Sequence, residues 1–385
     1  MHQQNYINRH IESEIRSAMG RSPVTALIGP RQAGKSTLAG EIMKKSVDSV
    51  YLDLERPSDL QKLHDAEWFL TSQKEKLICI DEIQRKPELF PVIRSLADEW
   101  KQPGKFLILV SASRDLLRQS SESLAGRISY KKLTPFLWSE ISDTTSIESY
   151  ILRGGFPRSL LALNDEHSLA WREDFITTFL ERDLLQWQGF TPTTMRRLWQ
   201  MIAHMNGQTV NYSMLGNSLG VSNATVKNYI DLLEATFMLT VVPPYHSNTK
   251  KRLVKSPRIY ISDQGITTAL LHLENFDELY GHPVIGSVWE QVVLSNLQGH
   301  FPAAEYLFYR STGGAEIDFV MKLRGRIIAI ECKSSKAPKP SKGFFSAIED
   351  IQPDHAYIVA PVKEGWPLNR TTDVVNLREI IDVIH

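Results

Sequence analysis

"VTALIGPRQAGKST", residues 24–37, decides how the front of the chain is read. The apolar run VTALIG leads into Gly29-Pro30-Arg31-Gln32-Ala33-Gly34-Lys35-Ser36-Thr37, which satisfies G-x-x-x-x-G-K-[ST] at every fixed position. The order of strand, glycine-rich turn and helix beginning at Lys35 is what a phosphate cradle requires. Glycines let the backbone wrap so that its N–H groups face phosphate oxygens, and the helix N-terminus adds a partial positive charge. Lys35 is expected to neutralise the β- and γ-phosphates and the Ser36 hydroxyl to hold Mg2+. ATP and Mg2+ are the cofactors this implies.

Working outward, SVYLDLE (49–55), KLICIDE (76–82) and KFLILVSAS (105–113) repeat the short, continuously apolar pattern of 24–30. Continuous rather than alternating apolarity marks strands buried on both faces, as in a parallel sheet flanked by helices. The second run ends in Asp81-Glu82. Asp81 at a strand end facing the loop would hold magnesium through water, and Glu82 would orient and deprotonate the attacking water. Ser111, at the end of the 105–113 run, is a candidate γ-phosphate sensor. Arg127, in SLAGR (123–127), is a candidate arginine finger for a neighbouring subunit, against the alternative of a solvated or locally paired arginine.

Bulk composition excludes several classes. With 42% apolar and 23% charged residues and a formal net charge of zero, nothing pulls the whole chain toward nucleic acid or a membrane surface. The two cysteines, Cys79 and Cys332, each lie in an apolar run and read as buried thiols of a reducing compartment. The first residues, MHQQNYINRHIESEIRS, lack the apolar core of a secretion signal, and no window approaches a membrane span. A cytoplasmic protein is expected.

GPRQAGKSTL, LICIDEIQRKPELF, SLAGR and RGGFP, in this order, resemble the AAA-type ATP-binding proteins of bacteria and archaea that carry a C-terminal domain of unknown function. FLERDLL (179–185), KSPRIYISDQGI (255–266) and the closing hairpin extend the resemblance over nearly the whole chain. The resemblance implies an ATPase and a C-terminal fold similar to restriction endonucleases. VSAS (110–113) departs from the Gly-Ser-Ser usual in such proteins, which bears on the sensor and leaves the phosphate loop untouched.

In the middle, YSMLGNSLGVSNATVKNYIDLLEATFML (212–239) has helix-turn-helix spacing. Leu215 and Leu219 mark one helix face, Gly220-Val221 the turn, Ser222 the N-cap, and Val226, Ile230 and Leu233 the second helix. Asn223, Thr225, Lys227 and Asn228 would be the outward residues able to meet phosphates or base edges. The strand-like runs FMLTVVPPY and PRIYIS flank a loop with Lys250, Lys251, Arg252 and Lys255, so a winged helix with a basic wing is expected. A protein dock or rigid spacer is the alternative.

Near the C-terminus, GGAEIDFVMKLRGRIIAIECKSS (313–335) reads as a hairpin turning at Arg324-Gly325. Facing residues then sum to 649, so Asp318 lies opposite Glu331, and Lys333 shares Glu331's face. Facing carboxylates are destabilising unless a cation joins them. Magnesium between them, with Lys333 at the hydrolytic water and Glu290 from the helix 284–297, would make a metal-dependent nuclease site. Three readings stay open: an active nuclease, an idle nuclease-like fold, and a salt-bridged exposed face.

The expected fold class is α/β. A P-loop AAA-type ATPase core (1–140) is followed by a helical lid (141–205), a winged helix-turn-helix (206–265) and a restriction-endonuclease-like domain (266–385). The leading functional expectation is a Mg-dependent ATPase acting on DNA, in a ring-like homo-oligomer. The alternative is a nucleotide-controlled switch or scaffold for a protein partner, its nuclease-like domain inactive.

Overall fold

Four apolar runs of the N-terminal third form neighbouring strands of one parallel sheet in the computed structural model, which describes residues 6–46, 48–111, 123–183, 190–246 and 253–384. These are β1 (Val24–Gly29), β2 (Ser49–Asp53), β3 (Leu77–Asp81) and β4 (Phe106–Ser111), with β5 (Ile128–Lys132) added at the edge in the order β2-β3-β4-β1-β5. β3 and β4 are buried along their whole length, as continuous apolarity requires, because helices cover both faces. Leu38, Ala39 and Ile42 of the helix Lys35–Lys44 join one core with Leu27 and Leu109. Phe90, Ile93 and Leu96 of the helix Leu89–Trp100 join the other with Val24, Ile80 and Ile108. β5 went unread in the sequence because ISYKK is only half-buried and polar at its end.

The described chain divides into two compact units, residues 1–136 with 235–237, and residues 137–234 with 238–385. The helices expected as a lid, together with the helix pair and the C-terminal sheet, belong to the second unit. Its helical core gathers Phe156, Phe175, Trp199, Leu215, Ile230 and Ile259. No helix among the described residues is long and apolar enough to cross a membrane.

The helix pair forms as the spacing predicts, Tyr212–Leu219 then Asn223–Ala235. Ser222 accepts the Thr225 N–H at 3.1 Å, the N-cap bond expected of it. β6 (Leu239–Val242) and β7 (Arg258–Ile261) then pair antiparallel. Of the expected basic wing, Lys250, Lys251 and Arg252 lie outside the described residues and Lys255 lies within them.

The C-terminal sheet contains β8 (Glu305–Arg310), β9 (Glu316–Leu323), β10 (Arg326–Cys332), β11 (His355–Val359), β12 (Trp366–Asn369) and β13 (Thr372–Val375), ordered β12-β13-β11-β10-β9-β8. β10 runs parallel to β11 and antiparallel to β9. The β9–β10 register pairs Arg326 with Leu323 and Ile330 with Phe319, so facing residues sum to 649 as the turn at Arg324-Gly325 dictates. Both turn residues have positive φ, 50° and 81°, the type I′ geometry whose twist matches a two-residue hairpin.

Candidate functional site

The first cluster is built on the carboxyl ends of β1, β3 and β4, where open α/β sheets place their ligands. Gly29 closes β1 with φ 154°, and a Cβ there would sit 2.2 Å from the Leu133 carbonyl oxygen. Only glycine lets the strand turn into the loop so close to another backbone. Gly34, also at positive φ, precedes the helix that starts at Lys35.

Lys35 is buried and folds back on the loop, its ammonium donating to the carbonyls of Gly29 at 2.9 Å and Pro30 at 2.8 Å. Burial pulls its pKa down to about 8, against the opposing fields of Glu82 and Asp81. The Ser36 hydroxyl donates to Asp81 Oδ2 at 2.6 Å, and the Tyr51 hydroxyl donates to the same oxygen. Asp81 Oδ1 accepts the Glu82 N–H at 2.9 Å. Glu82 sits in the left-handed region, φ 56°, a conformation that costs a non-glycine residue about 1–3 kcal/mol. Its carboxylate accepts from Ser111 Oγ at 2.8 Å and from Gln84 Nε2. Burial pushes its pKa up.

Five residues picked from sequence, Lys35, Ser36, Asp81, Glu82 and Ser111, are therefore gathered in one place. Tyr51 was missed there. Its signal was a lone polar-tipped aromatic inside an otherwise apolar strand. Ser36 and Asp81 offer a hydroxyl and a carboxylate oxygen in mutual contact, the hard donors magnesium takes. The residues fit the ion. Arg127, the finger candidate, is instead engaged locally, with Nη2 2.9 Å from Asp98 Oδ2.

On the helix Asn223–Ala235, Asn223, Lys227 and Asn228 are exposed and Thr225 is half-buried, while Val226, Ile230 and Leu233 are buried. Asn223 and Lys227 line an open cleft of about 690 Å³ with Asn211, Ser213, Lys255 and Ser256.

The C-terminal cluster gathers Asp318, Glu331, Lys333 and Glu290, and with them a residue the sequence reading did not select. Asp318 Oδ2 accepts the Cys332 N–H at 2.9 Å, which fixes the end of β9 against β10. Lys333 donates to Glu331 Oε1 at 2.6 Å. Glu290 accepts the Tyr260 hydroxyl at 2.7 Å. Burial, and then the charge of Asp318, pushes both Glu290 and Glu331 up.

Arg258, first residue of β7 and only 4% exposed, enters this group. Its Nη1 lies 3.3 Å from Asp318 Oδ1 and 3.9 Å from Glu290 Oε2, and its Nη2 donates to Glu316 Oε1. Its guanidinium also rests over the Phe308 ring, 4.9 Å from the centroid. Among the described residues no group of three or more Asp, Glu, His or Cys is disposed to hold a metal ion. A fixed positive charge already lies against Asp318, Glu290 and Glu316, while Glu331 is paired with Lys333.

Models of an AAA domain, of a domain of unknown function (DUF8612) and of another (DUF4143) match residues 21–142, 144–277 and 285–380. An uncharacterized protein of Mycobacterium tuberculosis is 38% identical over 374 residues, covering 97% of this chain and 84% of that one. An uncharacterized protein of Methanocaldococcus jannaschii is 24% identical over 411 residues, covering 92% and 82%. Among solved structures, the Walker-type ATPase of Pyrococcus abyssi overlaps 70% of this chain and 97% of its own, with 14% identity and a TM-score of 0.49. The chain belongs to the same family as the mycobacterial protein, and it carries an AAA domain ahead of two domains of unknown function.

Proposed function

We propose that the chain is a Mg-dependent ATPase that couples hydrolysis to action on DNA through its helix pair. The observation that carries hydrolysis is Glu82. A passive nucleotide binder needs only the loop and a magnesium-holding acid. Here a second carboxylate stands beside Asp81, braced by Ser111 and Gln84 and made more basic by burial. A general base works best when its pKa is lifted toward the operating pH. In the proposed step, the oxygen of a water attacks the γ-phosphorus as the bond to the β–γ bridging oxygen breaks. Glu82 accepts the water proton and ADP leaves. Lys35 would exchange its two loop carbonyls for phosphate oxygens, neutralising charge as it spreads over them. Ser36 and Asp81 would hold magnesium, which would supply further charge neutralisation.

The exposed Asn223, Lys227 and Asn228, with Lys255 across the cleft, support the DNA part. A labelled duplex titrated with protein at several salt concentrations tests it. Lys227→Ala and Lys255→Ala should each lower the slope of log affinity against log salt by about 1. An anisotropy that stays flat at low salt and micromolar protein would sink this part alone. A ring-like homo-oligomer belongs to the same proposal, and Arg127 would have to leave Asp98 to reach a neighbour's nucleotide.

One observation favours a second reading. The arginine within the C-terminal acids suits an inert domain, and so a nucleotide-controlled switch whose partner is a protein. Turnover indifferent to duplex, single-stranded and branched DNA would point that way.

A further inference from the structure

We propose that Arg258 is the resident cation of the C-terminal acidic cluster and closes it to divalent metals. The idea goes beyond the ATPase reading and stands or falls independently of it. Glu290, Glu316, Asp318 and Glu331 come from one helix and two strands, and a cation must join them if they are to be charged together. Arg258 meets three of the four through one guanidinium. Lys333 covers the fourth through Glu331 Oε1.

The arginine is built in rather than visiting. It is buried, its ring contact with Phe308 occupies one guanidinium face, and its strand is fixed on both sides. Before β7, the Val254 N–H donates to the Arg310 carbonyl at 3.1 Å. Beyond the partner strand β6, the Tyr245 N–H donates to Phe308 O at 2.7 Å. β7 itself pairs with β6 through Arg258 and Val242.

Two buried atoms report that the cluster is imperfectly paired. Glu331 Oε2 and Arg258 Nε have no hydrogen-bond partner among the described residues. A divalent ion drawn to Asp318, Glu290 and Glu331 would sit beside a guanidinium within 4 Å of two of those acids, with little water between to screen the repulsion. Metal and arginine therefore exclude one another. The carboxylates and lysine picked from the sequence stand in one cluster, and in this proposal its cation is the covalently attached Arg258.

Mn2+ binding to the full-length, nucleotide-free protein, followed by electron paramagnetic resonance, tests this without any activity assay. Wild type and Asp318→Asn should give superimposable isotherms. Arg258→Gln should gain one site at least tenfold tighter than any in wild type, and adding Asp318→Asn should remove it. A wild-type site lost in Asp318→Asn overturns the proposal, and that arm involves no change at the arginine. A folded Arg258→Gln with no gained site also overturns it. If Arg258→Gln is unfolded by circular dichroism, refolding by millimolar Mn2+ supports the proposal and failure to refold contradicts it.

Discussion

Two buried clusters in this chain each set a basic side chain among carboxylates, yet they are arranged for opposite ends. In the nucleotide site, Lys35 donates to main-chain carbonyls, and Asp81 and Glu82 are held by hydroxyls, an amide and a backbone N–H. In the proposed ATPase, the lysine and hydroxyl contacts would be exchanged for phosphate and magnesium. In the C-terminal cluster, Arg258 bonds the acids directly. The difference teaches that a charged motif becomes a site only where its own countercharges leave it open.

The largest test of this contrast is removal of the arginine. Arg258→Ala should lower stability by about 3–5 kcal/mol, the usual cost of leaving buried charge without its partner, read from denaturant midpoints. A loss below 1 kcal/mol would mean the cluster is not held by Arg258. By contrast, Lys35→Ala should cost less stability than Arg258→Ala, since Lys35 donates to two loop carbonyls and not directly to a buried carboxylate. Its effect should fall on chemistry, lowering turnover by about a hundredfold or more.

A smaller effect follows from pH. The folded pKa of Lys35 is depressed to about 8 from an ordinary 10.5, so between these values the unfolded chain holds a proton that the ligand-free fold lacks. Stability of the ligand-free protein should therefore rise with pH across that window. Nucleotide binding favours the ammonium, so affinity should fall above pH 8, by up to about tenfold per unit. Calorimetry in buffers of different ionisation enthalpy would reveal the accompanying proton uptake. An affinity flat from pH 7.5 to 9.5 would contradict a buried, depressed lysine. Smallest of all, Tyr51→Phe removes one hydroxyl from Asp81 and should weaken Mg-nucleotide binding by about 1 kcal/mol, measured by the same titration.

How far the sequence could be read depended on how local each determinant is. The phosphate loop, Asp81-Glu82 and the β9–β10 register are set by residues adjacent in the chain or by a two-residue turn. Their placement follows from period and turn chemistry. Arg258 reaches Asp318 across a separation of 60 residues, and no spacing rule connects them. The one available sign was an arginine opening the strand RIYI, where all four residues prove buried. β12 was missed for the converse reason, since WPLN is exposed along its length and carries no apolar signal. The RGGFP motif was noticed as a resemblance, and its physical reason needed the fold. A Cβ on Gly154 would lie 2.1 Å from Asp263 Oδ1, and Asp263 Oδ2 accepts the Gly155 N–H at 2.8 Å.

Phosphate release from Mg-ATP, measured side by side for wild type, Lys35→Ala and Glu82→Gln with and without duplex DNA, tests the central claim most directly. Wild type should turn over and DNA should raise its rate. Glu82→Gln should bind nucleotide yet release phosphate about a hundredfold more slowly, and Lys35→Ala should be slowed by at least as much. Wild type that binds ATP without hydrolysing it, or turnover undiminished in Lys35→Ala, would contradict the account.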